Sequence, residues 1–214
     1  MNLSDYYWWT GVTHTDGYVY RSEGRIREIR LRVSEPSFEM LVKWKEILDE
    51  MTIHSHSLLL EKMYDPRYDR HFIQYLVREG STKRINFLLD YLSVFRINPL
   101  EYTVPAGAMG DVEYGWAYLA GVIDGDGCIQ IRRNLGNKRN ELLLKISSAT
   151  ESPLASIQDL LISLNIPKGY LSRYDNHTDL WVYLNKDAHS RFKQFIIKHM
   201  SFKKKLGRLQ LFEA

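Results

Sequence analysis

The chain has 214 residues, of which 44% are hydrophobic and 26% charged, and carries a net charge of +3. That length and composition suit a soluble globular protein with a sizeable core and exclude a disordered chain. No stretch approaches the roughly 20 apolar residues of a membrane span, and a lone cysteine, Cys128, excludes an internal disulfide or a cysteine-ligated zinc site.

The N-terminus, MNLSDYYWW, has no basic region followed by an apolar run, so no signal peptide is expected. With the lone cysteine, this fits an intracellular, soluble protein. Charge is unevenly placed. Arginines cluster from Arg21 to Arg32 and again at Arg132, Arg133 and Arg139, and lysines at Lys203, Lys204 and Lys205.

Taken in order, the chain opens on aromatic residues and a helix ending in WTGVTHTDG, residues 9–17. Strand patterns follow at 18–21 and 26–33, then a helix with Leu41, Trp44, Ile47, Leu48 and Met51 on one face. Strands at 54–61 and 69–77 and a helix at 82–95 complete the first half. A linker at 98–113 is punctuated by Pro99, Pro105, Gly107 and Gly110. The second half repeats the plan. Aromatics precede LAGVIDGDG at 119–127, strands follow at 128–132 and 141–147, and a helix carries Leu154, Ile157, Leu160, Leu161 and Leu164. Strands at 169–174 and 179–184 and helices at 187–199 and 202–212 end it. The two nine-residue segments lie 110 residues apart, and their flanks agree in order, so the chain reads as an internal duplication. The expected organisation is α+β, with lobes at 1–97 and 114–214.

The repeated segment has a physical reading. Gly11 and Gly121 have no side chain, so two helices can approach closely there. Thr15 and Gly125 lie one turn further along the same face. Gly17 and Gly127 are expected to cap the helices in the left-handed conformation. If the two helices pair about a pseudo-twofold axis, Asp16 and Asp126 meet at their ends. Two adjacent carboxylates are unfavourable unless protonated or bridged by cations, and the negative ends of the helix dipoles deepen the potential. Hard oxygen donors of this kind favour Mg²⁺.

LAGVIDGDG resembles the defining motif of the LAGLIDADG homing endonucleases, and WTGVTHTDG resembles a degraded first copy. The resemblance covers nearly the whole chain, as a single-chain, two-motif, monomeric enzyme. It implies a pseudo-twofold pair of αββαββα lobes whose two antiparallel sheets form a DNA-binding saddle. It also implies metal-dependent double-strand cleavage of a long, pseudo-palindromic DNA target, leaving short 3′ overhangs, by a protein encoded in an intron. Asp16 and Asp126 then correspond to the metal-binding acids, with the carbonyls of Thr15 and Gly125 as further ligands. Mg²⁺ is the expected cofactor, and Mn²⁺ or Ca²⁺ substitutes for binding. The family's basic residue near each acid falls on Lys83 and Lys203. Two departures stand out. The sixth motif position is Asp124 in the second copy but His14 in the first, and the Gln or Asn found after the second strand is replaced by Glu35 in one half and Ala149 in the other. Glu35 is expected to order a water or touch a metal, so the two strands are expected to be cut at unequal rates. The alternative is an intron RNA maturase or a DNA-binding protein of the same fold.

In the stretch 25–33, Ile29, Leu31 and Val33 alternate with Glu28, Arg30 and Arg32, so one face packs while the other presents long donors. Arginine pairs bidentately with guanine in the major groove. Double-stranded DNA is the partner that the resemblance implies, and the residues expected to read it in the first half are Arg21, Arg27, Arg30, Arg32, His54, His56, Arg70 and Gln74. The second half offers Gln130, Arg132, Arg133, Lys145, Arg173 and Tyr183. His14 reads as a lobe-interface residue. His54 and His56 lack the partners of a metal site and read as strand residues facing DNA. Trp8, Trp9 and Cys128 read as core.

Overall fold

The computed structural model describes residues 2–133 and 140–211. Arg139, the side chain of Arg133 and the last residue of the helix expected at 202–212 lie outside the described residues. The first lobe runs α1 (Leu3–Thr15), β1 (Gly17–Ser22), β2 (Arg25–Ser34), a single 3₁₀ turn (Glu35–Ser37), α2 (Phe38–Thr52), β3 (Leu59–Asp65), β4 (Arg70–Glu79) and α3 (Thr82–Val94). A short α4 (Ala106–Gly110) interrupts the linker. The second lobe runs α5 (Val112–Asp124), β5 (Gly127–Arg133), β6 (Asn140–Ser148), α6 (Glu151–Ser163), β7 (Tyr170–Arg173), β8 (Thr178–Leu184), α7 (Lys186–Ile196) and α8 (Lys203–Leu211).

Each lobe carries one four-stranded antiparallel sheet, in the orders β1-β2-β4-β3 and β5-β6-β8-β7. The equivalence extends to register: Gly17 sits opposite Leu31 and Gly127 opposite Ile146. Alternation along the strands sends Ile29, Leu31 and Val33, and likewise Leu142, Leu144 and Ile146, into a core that also holds α1, α2, α5 and α6. Glu28, Arg30 and Arg32 in β2, and Glu141 and Lys145 in β6, alternate with these and face the other side of each sheet. Among the described residues, no helix is long and apolar enough to cross a membrane.

The fold differs from the sequence expectation in three places. The strand expected at 54–61 starts at Leu59. Ile53 caps α2 in the left-handed conformation (φ 51°), which turns the chain and leaves His54 in an exposed loop. The linker, expected to be irregular, forms α4. Neither Gly17 nor Gly127 is left-handed, since Gly24 is the one glycine of the described residues at positive φ. Their small size matters for a different reason: a Cβ on either would drive into the helix just ended, at the backbone of Thr13 or Ile123.

Candidate active site at the paired helix ends

Helices α1 and α5 make the most extensive helix–helix contact of the molecule. They do so because both motifs are small where they cross. A Cβ on Gly11 would overlap the carbonyl oxygen of Tyr118, and one on Gly121 would overlap that of Trp8. The contact is reciprocal, as a pseudo-twofold axis requires. One turn on, a Cβ on Gly125 would strike the Thr15 hydroxyl and lie 3.5 Å from Cγ of Asp16. The second motif's Gly-Asp step is thus set against the first motif's acid.

The same symmetry explains the unlike sixth positions. Trp8 Nε1 donates to Oδ2 of Asp124 at 3.0 Å. The pseudo-equivalent pair is Tyr118 and His14, whose hydroxyl and Nδ1 are 3.0 Å apart. Asp124 also accepts the backbone N–H groups of Ser201 and Phe202, at 2.6 and 3.2 Å, from the chain after α7. Nε2 of His14 lies 2.9 Å from the carbonyl oxygen of Asn98, in the chain after α3. Each residue therefore ties the helix pair to the segment leaving its lobe. A carboxylate accepts there from backbone N–H, whereas a neutral imidazole donates through Nε2 to a carbonyl and accepts from tyrosine. Burial lowers the His14 pKa to about 4, which keeps the ring neutral. His14 lies at the lobe interface.

Asp16 is the C-cap of α1, and Asp126 follows Gly125, the C-cap of α5. Both carboxylates reach solvent, yet protein surrounds them, and that desolvation is the largest cause raising both pKa values. The charge of Asp16 raises Asp126 further, to about 6, while Lys205 opposes both shifts. Among the described residues, no cluster of three or more His, Cys, Asp or Glu side chains suits a metal. The pair supplies two hard oxygen donors at adjacent helix C-termini, which suits an ion that completes its shell with carbonyls, water and phosphate oxygens.

Two residues near the acids were not found by sequence reasoning. Lys205, from α8, places Nζ 2.7, 2.8 and 2.5 Å from the carbonyl oxygens of Ile123, Asp124 and Gly125. Tyr102, from the linker, has a buried hydroxyl without a hydrogen-bond partner among the described residues. Its pKa is raised by burial and by the charges of Asp126 and Asp16, and its ring lies 5.5 Å from that of His14. The lysine run at 203–205 did signal a basic residue, but in the wrong register. Lys203 points away and pairs with Glu39 at 2.7 Å. Lys83 is exposed at the start of α3. Among the described residues, neither contacts Asp16 or Asp126. The Gly125 carbonyl, expected to face a metal, faces Lys205. Glu35 is exposed and lines a cleft of about 680 Å³ with Arg70, His71 and Phe72.

The sheet faces opposite the core gather much of the expected reading set. In the first sheet, Arg30 lies opposite Tyr18 and Arg78, and Arg32 opposite Leu76, so these share a face with Gln74 and Arg70. In the second, Gln130, Arg132, Lys145 and Tyr183 share the face opposite the core. Cys128 lies there too, opposite Lys145 and half-buried, rather than in the core. Many of these cations already have partners: Arg30 with Glu28, Arg32 with Glu61, and Lys145 with Asp179. Arg30 also stacks on Tyr18, 4.2 Å from its centroid. Arg21 is exposed beside a bulge in β1.

Three expected contacts fall elsewhere. His56 is buried, with Nδ1 2.6 Å from Asp49 and Nε2 3.0 Å from Glu79, in a network closed by Arg84. Arg173 is in register with Thr178, on the core side of its sheet, and binds Glu151 through Nε and one Nη. Arg27 shares its parity with Ile29 and pairs with Glu23.

No protein-family model matches the chain, and a search of curated proteins finds no match. Solved structures do match. The LAGLIDADG homing endonuclease I-GzeII, bound to its DNA target, aligns with a TM-score of 0.55 at 10% identity, over 96% of this chain and 89% of that one. An I-DmoI variant bound to its target DNA in the presence of magnesium gives 0.55 at 15% identity, over 91% and 96%. The N-terminal LAGLIDADG domain of DUF199/WhiA gives 0.55 at 16% identity, over 90% and 82%.

Proposed function

We propose that this chain, whose fold is that of the LAGLIDADG homing endonucleases, is a site-specific, metal-dependent DNA endonuclease acting as a monomer. The observation that carries the reading is the meeting of Asp16 and Asp126 at the ends of the paired helices, where the charge of one is felt by the other. A structural role alone would not place two solvent-accessible carboxylates together, because their repulsion destabilises the fold. The fold itself does not decide the matter, since it is shared with a WhiA domain not named as an endonuclease.

Asp16 and Asp126 would hold Mg²⁺, joined by the carbonyl of Thr15. The bound ion would activate water and stabilise the leaving oxygen of a phosphodiester. The chain's own residues do the rest. Gly11, Gly121 and Gly125 bring the acids together. Asp124 and His14 fix the helix pair to the segments that leave each lobe. The outer faces of the two sheets, through Arg30, Arg32, Arg70, Gln74, Gln130, Arg132, Lys145 and Tyr183, would lie along a duplex. Two unlike lobes predict an imperfect palindrome, cut on both strands to leave short 3′ overhangs. An origin in an intron belongs to the same reading.

The experiment is cleavage of a randomised duplex library with Mg²⁺, followed by sequencing of the cut ends. A single recovered site with staggered cuts on both strands supports the proposal. Tight binding of a site that is never cut, with either Mg²⁺ or Mn²⁺, would make the chain a DNA-binding protein instead.

A further inference from the structure

Lys205 departs from the duplication. Helix α7 is the second lobe's counterpart of α3, so α8 has no equivalent in the first lobe. It is packed against β5, and its Lys205 reaches across to the end of α5. An ammonium group has three donors, and here all three meet the terminal carbonyls of one helix: Ile123, Asp124 and Gly125. These are the orphan acceptors at a helix C-terminus, where the dipole favours a cation. Among the described residues, no lysine or arginine reaches the corresponding carbonyls at the end of α1. Among the described residues, the carbonyl oxygens that end the first half-site, beside Asp16, thus meet no ammonium or guanidinium group. The second ends in carbonyls already held by a positive charge that also acts on Asp126.

We infer that Lys205 is a built-in cation of the second half-site, occupying the Gly125 carbonyl so that the acid pair takes one divalent ion rather than one per half. The inference rests on reading Asp16 and Asp126 as cation-binding acids. It follows from charge and from ligand supply together. Three carboxylates act on this ammonium, Asp124, Asp16 and Asp126, and Asp124 is already held by Trp8 and the Ser201 and Phe202 N–H groups. The two left for an ion share one ammonium, so a single divalent ion reverses their net charge and a second would enter a site already positive. Moreover, an ion on the second lone pair of the Gly125 oxygen would lie against the ammonium that Lys205 places on the first, and the two cations repel. Lys205 is a positioning residue in this account: with its three donors committed to carbonyls, it has none left for a substrate phosphate. The half-site nearer Thr15 becomes the one open to the ion, and the two strands of a bound duplex would meet chemically unlike sites.

The test counts ions without DNA. Mn²⁺ is titrated into the full chain and the free ion is followed by electron paramagnetic resonance. The wild type is expected to bind one Mn²⁺, Lys205→Met two, Lys205→Arg one and Asp16→Asn none. Two ions in the wild type would overturn the inference, as would an unchanged count in a folded Lys205→Met. Should Lys205→Met fail to fold, the wild-type and Asp16→Asn counts decide alone. A chain that binds one ion but cuts no DNA would leave the inference standing and remove the nuclease reading. A chain that cuts DNA while binding two ions would do the reverse.

Discussion

Gly121 gives the sharpest handle on the helix pair that positions the acids. In Gly121→Ala the new Cβ would overlap the Trp8 carbonyl oxygen and lie 3.0 Å from both the Trp8 carbon and the Val12 nitrogen, all backbone atoms that cannot rotate away. Restoring ordinary contact of 3.4–4 Å requires the helices to part by roughly an ångström. A gap of that size forfeits a quarter to a half of each dispersion contact along the seam, and overpacking of this kind costs about 3 kcal/mol or more. Alanine's better helix propensity returns about 1 kcal/mol. The net loss is about 2–3 kcal/mol, or about 5–10 °C in Tm for a chain of this size. Gly207 in α8 has none of the described residues within 4 Å of its virtual Cβ, so there the same substitution should raise Tm by about 2 °C through propensity alone. Calorimetry of both variants tests the opposite signs. A Gly121→Ala protein at or above the wild-type Tm would refute close backbone approach as the reason for that glycine.

Three further outcomes follow. Burial lowers the His14 pKa from its ordinary 6.5 to about 4, so the unfolded chain binds the proton first. That contribution is intact above pH 6.5 and lost as pH falls toward 4, by at most about 3 kcal/mol. Urea melts of His14→Gln should lack that slope, and a slope equal to the wild type's would contradict it. Asp126, raised to about 6 by burial and by Asp16, destabilises the fold above that pH and not below its unfolded value. Asp126→Asn should therefore stabilise the fold at pH 8, by about 1 kcal/mol after discounting for solvent exposure, with a higher Tm there and no effect near pH 3.5. Equal shifts at both pH values would argue against charge repulsion. Tyr102→Phe removes a buried hydroxyl with no partner among the described residues; its Tm should match or exceed the wild type's, and a clear loss would reveal a partner.

The paired motifs were legible because steric need and chemistry coincide in them. Glycines that let helices touch and acids that follow them repeat at one spacing, and few other folds require that combination. The sheets were legible by alternation, as in Ile29, Leu31 and Val33. What stayed hidden depended on direction rather than residue type. Lys203 and Lys205 are interchangeable in a basic run, but two residues on a helix point to nearly opposite sides, so one meets Glu39 and the other the end of α5. His56 sits in a polar stretch that reads as solvent-facing, but Asp49 and Glu79 enclose it. Arg173 is one residue out of phase with the face opposite the core. The free charge expected of Arg30, Arg32 and Lys145 is tempered by Glu28, Glu61 and Asp179, partners that only the sheet register brings alongside. Tyr102 had no signal at all, because a linker tyrosine is ordinary until its surroundings are known.

The central claim is that Asp16 and Asp126 together form one cation-dependent cutting site. Its most direct test uses the DNA site recovered from the library and measures binding and strand cleavage with Mg²⁺ for the wild type, Asp16→Asn and Asp126→Asn. The account predicts wild-type affinity in all three proteins and loss of double-strand cutting in both variants. Double-strand cleavage at the wild-type rate by either variant would contradict it.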